Sequence, residues 1–227
     1  IDLTAYNLDT FRAAEAVIAE LDKHGIVASV ILLHPCDLPF RDVDNIVSVF
    51  KAFFRYSVAR LGAYSNVVWN IANEWERNLV LTAEQVQELG DYLRKIDPYD
   101  RLIAVHHYAK FELPDEKWVD MSSMQHRGLP HEINKVALIN RPFGKPVLNE
   151  EYGYEGDNHN RPNDPVNVRR DHWALTMAGA YGSYGDKTTG PKFSPYFTST
   201  MKDSGNAVVP DMLGYLYKIM TSLDYWK

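Results

Sequence analysis

The chain has 227 residues, 45% hydrophobic and 24% charged, with a formal net charge of −6. That is enough for one good-sized core and is the balance of an ordinary globular domain. The charge is spread without a basic patch and no apolar run approaches the roughly 18 residues of a membrane span, so a nucleic-acid surface and a transmembrane helix are both excluded as expectations. Cys36 is the only cysteine, which rules out an intrachain disulfide.

Helical and strand patterns alternate along the chain. Residues 9–24 have helical apolar spacing (Phe11, Ala14, Val17, Ile18, Leu21), with Asp9 or Thr10 as the cap and Gly25 as the stop. Residues 26–33 are a continuous apolar run, as in a parallel strand buried on both faces. A second helix spans 42–62, a strand 66–72, and a helix 82–96 with Glu84 and Gln85 in its first turn. A strand at 102–106 follows, then a weaker one at 118–125, a short helix at 132–139, a strand at 146–149 and a helix at 170–180. The Gly-rich stretch 181–185 reads as the last strand and 211–223 as a closing helix.

This order means a parallel α/β fold. An open doubly wound sheet and a (β/α)8 barrel both fit, and two features favour the barrel. No Gly-rich phosphate loop follows any strand. Polar residues instead gather at strand ends: His34, Glu74, His107, Gln125, His126, Glu151 and Asp186. A barrel turns all these ends toward one mouth, where its active sites lie. Six βα units are visible where a barrel has eight. The expectation is a single partial catalytic domain over 1–227 whose first two strands lie outside the sequence, residues 1–8 belonging to the loop after the second. An open arc leaves raw edges, so a further N-terminal segment or a second chain should complete it.

Two runs carry the chemistry. Val67-Val68-Trp69-Asn70-Ile71-Ala72-Asn73-Glu74 is a buried strand ending in Asn-Glu. Lys145-Pro146-Val147-Leu148-Asn149-Glu150-Glu151-Tyr152-Gly153 is another ending in carboxylates. Side chains alternate along a strand. Val68, Asn70, Ala72 and Glu74 therefore share a face, with Trp69 and Ile71 toward the helices. In the second run, if Leu148 packs on helices, Glu151 faces the mouth and Glu150 sits at the rim. Strand ends bulge, so parity leaves Glu150 open. His107 and Tyr108 after one strand, Gln125 and His126 after the next, and His34 are candidate sugar-hydroxyl ligands, though only one of His106 and His107 can face inward. Tyr152, Tyr154 and Trp75 are candidate stacking platforms, with packing as the alternative. The Asp-, Asn- and Pro-rich loop 156–167 reads as a mobile substrate-side loop and lacks calcium-loop spacing.

Asn73-Glu74 at one strand end and Glu151-Tyr152-Gly153 at another resemble the clan A glycoside hydrolases. The order of Val68 to Glu74, Arg101 to His106, Trp118-Val119-Asp120 to Met124-Gln125-His126, Lys145 to Glu155, and Arg169-Arg170 through Trp173 to Tyr184-Gly185 is similar to the apiosidase-like family within that clan. The resemblance implies hydrolysis of a complex, plant cell-wall type of glycan with retention, in a secreted or periplasmic bacterial setting and without a cofactor. Glu151 would attack the anomeric carbon, Glu74 would act as acid and then base, and Asn73 would bind the neighbouring hydroxyl. Retention asks for carboxyl groups about 5–5.5 Å apart. The clan also places an Arg near the end of strand two, outside this sequence. Two other readings stand beside this one: a metal-dependent barrel hydrolase using the strand-end histidines with Glu74, although no metal-ligand spacing occurs, and a non-catalytic carbohydrate-binding barrel.

Overall fold

The computed structural model describes residues 5–34, 43–77, 81–108, 113, 115–156, 163–185 and 208–224. The chain divides into two compact units, Ile1–Ser122 and Ser123–Lys227. Cys36, Asp186 and residues 157–162 of the predicted substrate-side loop fall outside the described residues.

The first unit contains α1 (Leu8–Lys23), β1 (Ala28–Leu33), α2 (Ile46–Leu61), β2 (Val67–Ala72), a 3-10 turn (Trp75–Arg77), α3 (Ala83–Ile96) and β3 (Ile103–His107), and β4 (Met121–Met124) begins in it. β1 and β2 are parallel in the register Ile31↔Asn70, and β2 and β3 in the register Asn70↔Ala104. The alternation expected of β2 holds. Trp69 and Ile71 are fully buried in one cluster with Val86, Leu89 and Leu93 of α3. The Trp69 indole N–H donates to Asp97 at 3.0 Å, and Asp97 also accepts the Tyr99 and Arg101 N–H groups. One carboxylate thus ties the end of α3 to the strand and to the turn that leads into β3.

Three expectations are corrected in this unit. α1 is capped by Asn7, whose side chain accepts from the Asp9 and Thr10 N–H groups, and not by Asp9 or Thr10 themselves. The run 26–33 is not buried on both faces: Ile26 and Val27, just before β1, and Ile31 within it are 49%, 62% and 45% exposed. β1 stands first in the strand order and pairs only with β2 among the described residues. β3 starts and ends one residue later than the pattern suggests, which places His107 inside the strand.

The second unit completes β4 and adds α4 (Pro130–Asn140), β5 (Val147–Asn149), α5 (Pro165–Met177), β6 (Tyr181–Gly182) and α6 (Val209–Ser222). β5 and β6 are parallel, Leu148 opposite Tyr181. The core joins Met124 and Val147 of the strands to Ile133 and Ala137 of α4 and Leu175 of α5. α5 starts five residues before the expected point because Asp164 accepts the Asn167 N–H and Pro165 occupies the first turn, where its missing N–H costs nothing. It stops short because Gly179, at φ +72°, reverses the chain.

Candidate functional site

In the first unit β2 ends at Ala72, and Asn73 and Glu74 form the turn that follows. Glu74 has φ +40°, a left-handed conformation uncommon for a residue with a side chain. The turn is fastened on both sides. The Asn73 N–H donates to the Leu33 carbonyl at 3.0 Å. The Asn73 carboxamide oxygen meets the His106 Nδ1, and the Glu74 N–H points at the same nitrogen at 3.4 Å. The His106 N–H in turn donates to the Asn70 side chain at 3.1 Å. Asn70, Asn73 and His106 are all buried, while Glu74 is half-buried.

The inward-facing histidine is therefore His106 and not His107. Ile103 and Val105 lie in the core cluster, which carries His107 to the same side. There it is fully buried with its Nε2 2.9 Å from the Ser122 hydroxyl, within the first unit's interior. Sequence reasoning missed His106, although the contrast of Ile103 and Val105 with Ala104 held the signal. Tyr108 is 46% exposed and its N–H donates to the Glu76 carboxylate. His34 is exposed after β1. Trp75 is 8% exposed and belongs to the core, which leaves little of its ring for a sugar.

In the second unit the ground for preferring Glu151 over Glu150 fails. Val147, not Leu148, packs on the helices, because Val147 is the residue of β5 that meets α4 and α5. The strand stops at Asn149 and the chain bends at Glu151, so alternation reaches neither acid. Chemistry separates them instead. Glu150 accepts from the Ser123 hydroxyl, and its carbonyl accepts from Ser183. Glu151 forms an ion pair with Arg127, whose guanidinium lies 5.2 Å from the Tyr154 ring centre. Asn149 grips the strand before it by accepting the His126 N–H and donating to the His126 carbonyl, each at 3.0 Å.

Gln125 is buried and His126 half-buried. Burial pushes the His126 imidazole below its usual range, against the smaller opposing pull of Glu132. Tyr152 is not a stacking platform: it is 1% exposed, deep in the core, with its hydroxyl where a side chain on Gly182 would have to go. Desolvation raises its phenol well above the ordinary value, and Asp171 adds to that. Its ring lies 5.1 Å from that of His172, which burial holds down to about 4. Arg127, Ser123 and the buried Glu155 were not singled out by the sequence. Glu155 accepts from the Tyr184 hydroxyl and from the Val208 and Val209 N–H groups at the start of α6. Among the described residues no three His, Cys, Asp or Glu side chains gather as a metal site.

The model of the apiosidase-like catalytic domain matches residues 1–227. The chain belongs to the apiosidase-like family. No curated protein sequence matches it significantly, but solved structures do. A Bacteroides vulgatus protein provisionally assigned as a glycoside hydrolase shares 23% identity, with a TM-score of 0.72 over 88% of this chain and 40% of its own. A family 5 glycoside hydrolase from the same organism gives 17% identity and a TM-score of 0.71 over 95% and 54%. The catalytic domain of a Thermobifida fusca endoglucanase gives 17% and 0.56 over 89% and 74%. This apiosidase-like chain thus has the fold of a partial (β/α)8 barrel, and it spans about half the length of the two Bacteroides proteins.

Proposed function

We propose that this apiosidase-like chain works as a retaining glycoside hydrolase on a complex glycan of the plant cell-wall kind. Glu74 is the acid and base, Glu151 the nucleophile, and Asn73 the ligand of the hydroxyl beside the anomeric carbon. In this reading residues 1–227 act as one catalytic domain, in a secreted or periplasmic bacterial protein. The observation that carries it is the strand-end turn of β2, which holds the Asn73 side chain against His106 and the Glu74 backbone in a left-handed conformation, within a chain matched along its length by the apiosidase-like model.

The mechanism is a double displacement. The Glu151 carboxylate attacks the anomeric carbon as the bond to the leaving oxygen breaks, and Glu74 gives that oxygen its proton. The aglycone departs, and Glu74, now a carboxylate, takes a proton from water. The water oxygen displaces Glu151 from the sugar and regenerates both groups. Arg127 is the cation beside the attacking carboxylate. Asn73 contributes most if its bond to the sugar hydroxyl strengthens in the transition state.

The test is a screen of aryl glycosides and pectic oligosaccharides, with the anomeric configuration of the first product followed by NMR. The expected result is retained configuration and a loss on the order of 10²–10⁴-fold in kcat for Glu74→Gln, the usual reach of general acid–base catalysis. A 2-fluoro glycoside should label Glu151. Label on Glu150 would reassign the nucleophile, and inverted product would remove the double displacement.

A further inference from the structure

We infer that His106 is a positioning residue for the Asn73–Glu74 pair, fixing through its Nδ1 the rotation of the Asn73 carboxamide on the turn that carries Glu74. This rests on the glycosidase reading above and adds a residue to it. The two ends of a carboxamide have nearly the same shape, so packing alone does not decide which end faces a sugar hydroxyl. A neighbouring imidazole nitrogen does decide it, because that nitrogen either donates or accepts. The Nδ1 of His106 is in contact with the Asn73 amide and faces the Glu74 N–H at 3.4 Å. The residue is itself held in place: His106 is 1% exposed, and its backbone N–H donates to the Asn70 side chain one strand away. The left-handed backbone of Glu74 is a conformation that persists only where its surroundings impose it. His106, reaching across from β3, is one of those surroundings.

The role predicts a particular pattern of losses. An Asn side chain places a polar atom close to where the imidazole carries Nδ1, whereas Phe fills the volume without it. His106→Phe should lower kcat on the order of 10–100-fold with KM changed less than about threefold, since orientation matters most in the transition state. His106→Asn should recover most of that loss. In an Asn73→Ala background, His106→Phe should cost less than about threefold more, because residues acting through one another are not additive. Thermal unfolding of each variant checks folding. An arm that needs no substrate runs in parallel: in the 15N-labelled protein, Asn73→Ala should move the side-chain Nδ1 resonance of His106. Full additivity in the cycle, parental kcat in His106→Phe, or an unmoved Nδ1 resonance would each overturn the inference. A parent chain without activity on any glycoside would sink the glycosidase reading instead, and the resonance would still decide whether His106 holds Asn73.

Discussion

Arg127 touches two things at once: a carboxylate oxygen of Glu151 and the face of the Tyr154 ring. Its planar guanidinium can do both, whereas a lysine ammonium is a point charge without a face to stack. The family resemblance expects an Arg beside the nucleophile from a strand this sequence does not include. The cation beside Glu151 here comes from the turn after β4. Arg127→Gln should therefore lower kcat/KM on the order of 10–100-fold, which is about 1.4 kcal/mol of transition-state stabilisation per factor of ten. Arg127→Lys should fall between, keeping the charge and losing the stacking. Steady-state kinetics of the two variants beside the parent decides it. A Gln variant as fast as the parent would show that the ion pair is an ornament of the free protein, opened when substrate binds. Tyr154→Leu, which removes the ring and leaves the charge, should resemble Arg127→Lys.

At the scale of elements, α3 shows how far local rules carry. Its first turn was legible because Thr82 and Gln85 satisfy each other's backbone groups, a box that depends on residue type and spacing alone. β2 was legible for a similar reason: Trp69 and Ile71 are large and apolar at spacing two, and only one side of the sheet has room for them. What failed depended on neighbours distant in sequence. An apolar run such as 26–33 does not reveal whether anything covers its second face. β3 runs one residue further than the pattern suggests, so His107 lies inside the strand on the face of the core residues Ile103 and Val105, and His106 on the opposite face. The tip of β5 bends after Asn149, and no periodicity survives a bend. Gly90 in α3 was likewise opaque. In isolation an Ala there should help the helix by roughly 1 kcal/mol. A Cβ at Gly90, however, would lie 2.2 Å from the Trp118 indole, a ring that is 1% exposed and has nowhere to retreat. Gly90→Ala should therefore destabilise the chain by about 1–3 kcal/mol, the usual cost of overpacking, measured by urea unfolding. A stabilised variant would mean that Trp118 can move. Thr82→Ala should cost about 1 kcal/mol in the same assay by removing the cap.

The molecule as a whole carries a net charge of −6 at neutral pH and reaches neutrality near pH 5.7. Acidification therefore does two things that must be kept apart. Loss of net charge near pH 5.7 favours self-association, which depends on protein concentration and eases again as the chain becomes positive. Protonation linkage acts on the folded state itself. Burial on α5, with its ring against Tyr152, depresses the folded-state pKa of His172 to about 4, from an ordinary 6.5. The unfolded chain takes up its proton on passing through about 6.5, while the folded chain refuses it until about 4. The contribution of this group to stability is thus fully present above that upper value and lost as pH falls toward the lower one. Over that window it amounts to about 3 kcal/mol, from 1.36 kcal/mol per unit of separation. His126, depressed by burial as well, acts in the same direction with a smaller weight. Replacing His172 with Phe keeps a ring beside Tyr152 and removes the proton site. Urea unfolding at pH 7 and pH 4.5, at low protein concentration, should show the parent losing roughly 2–3 kcal/mol more than the variant between the two conditions. Equal losses would mean that His172 reaches solvent more easily than its packing implies, or that unfolding in acid is governed by carboxylates alone.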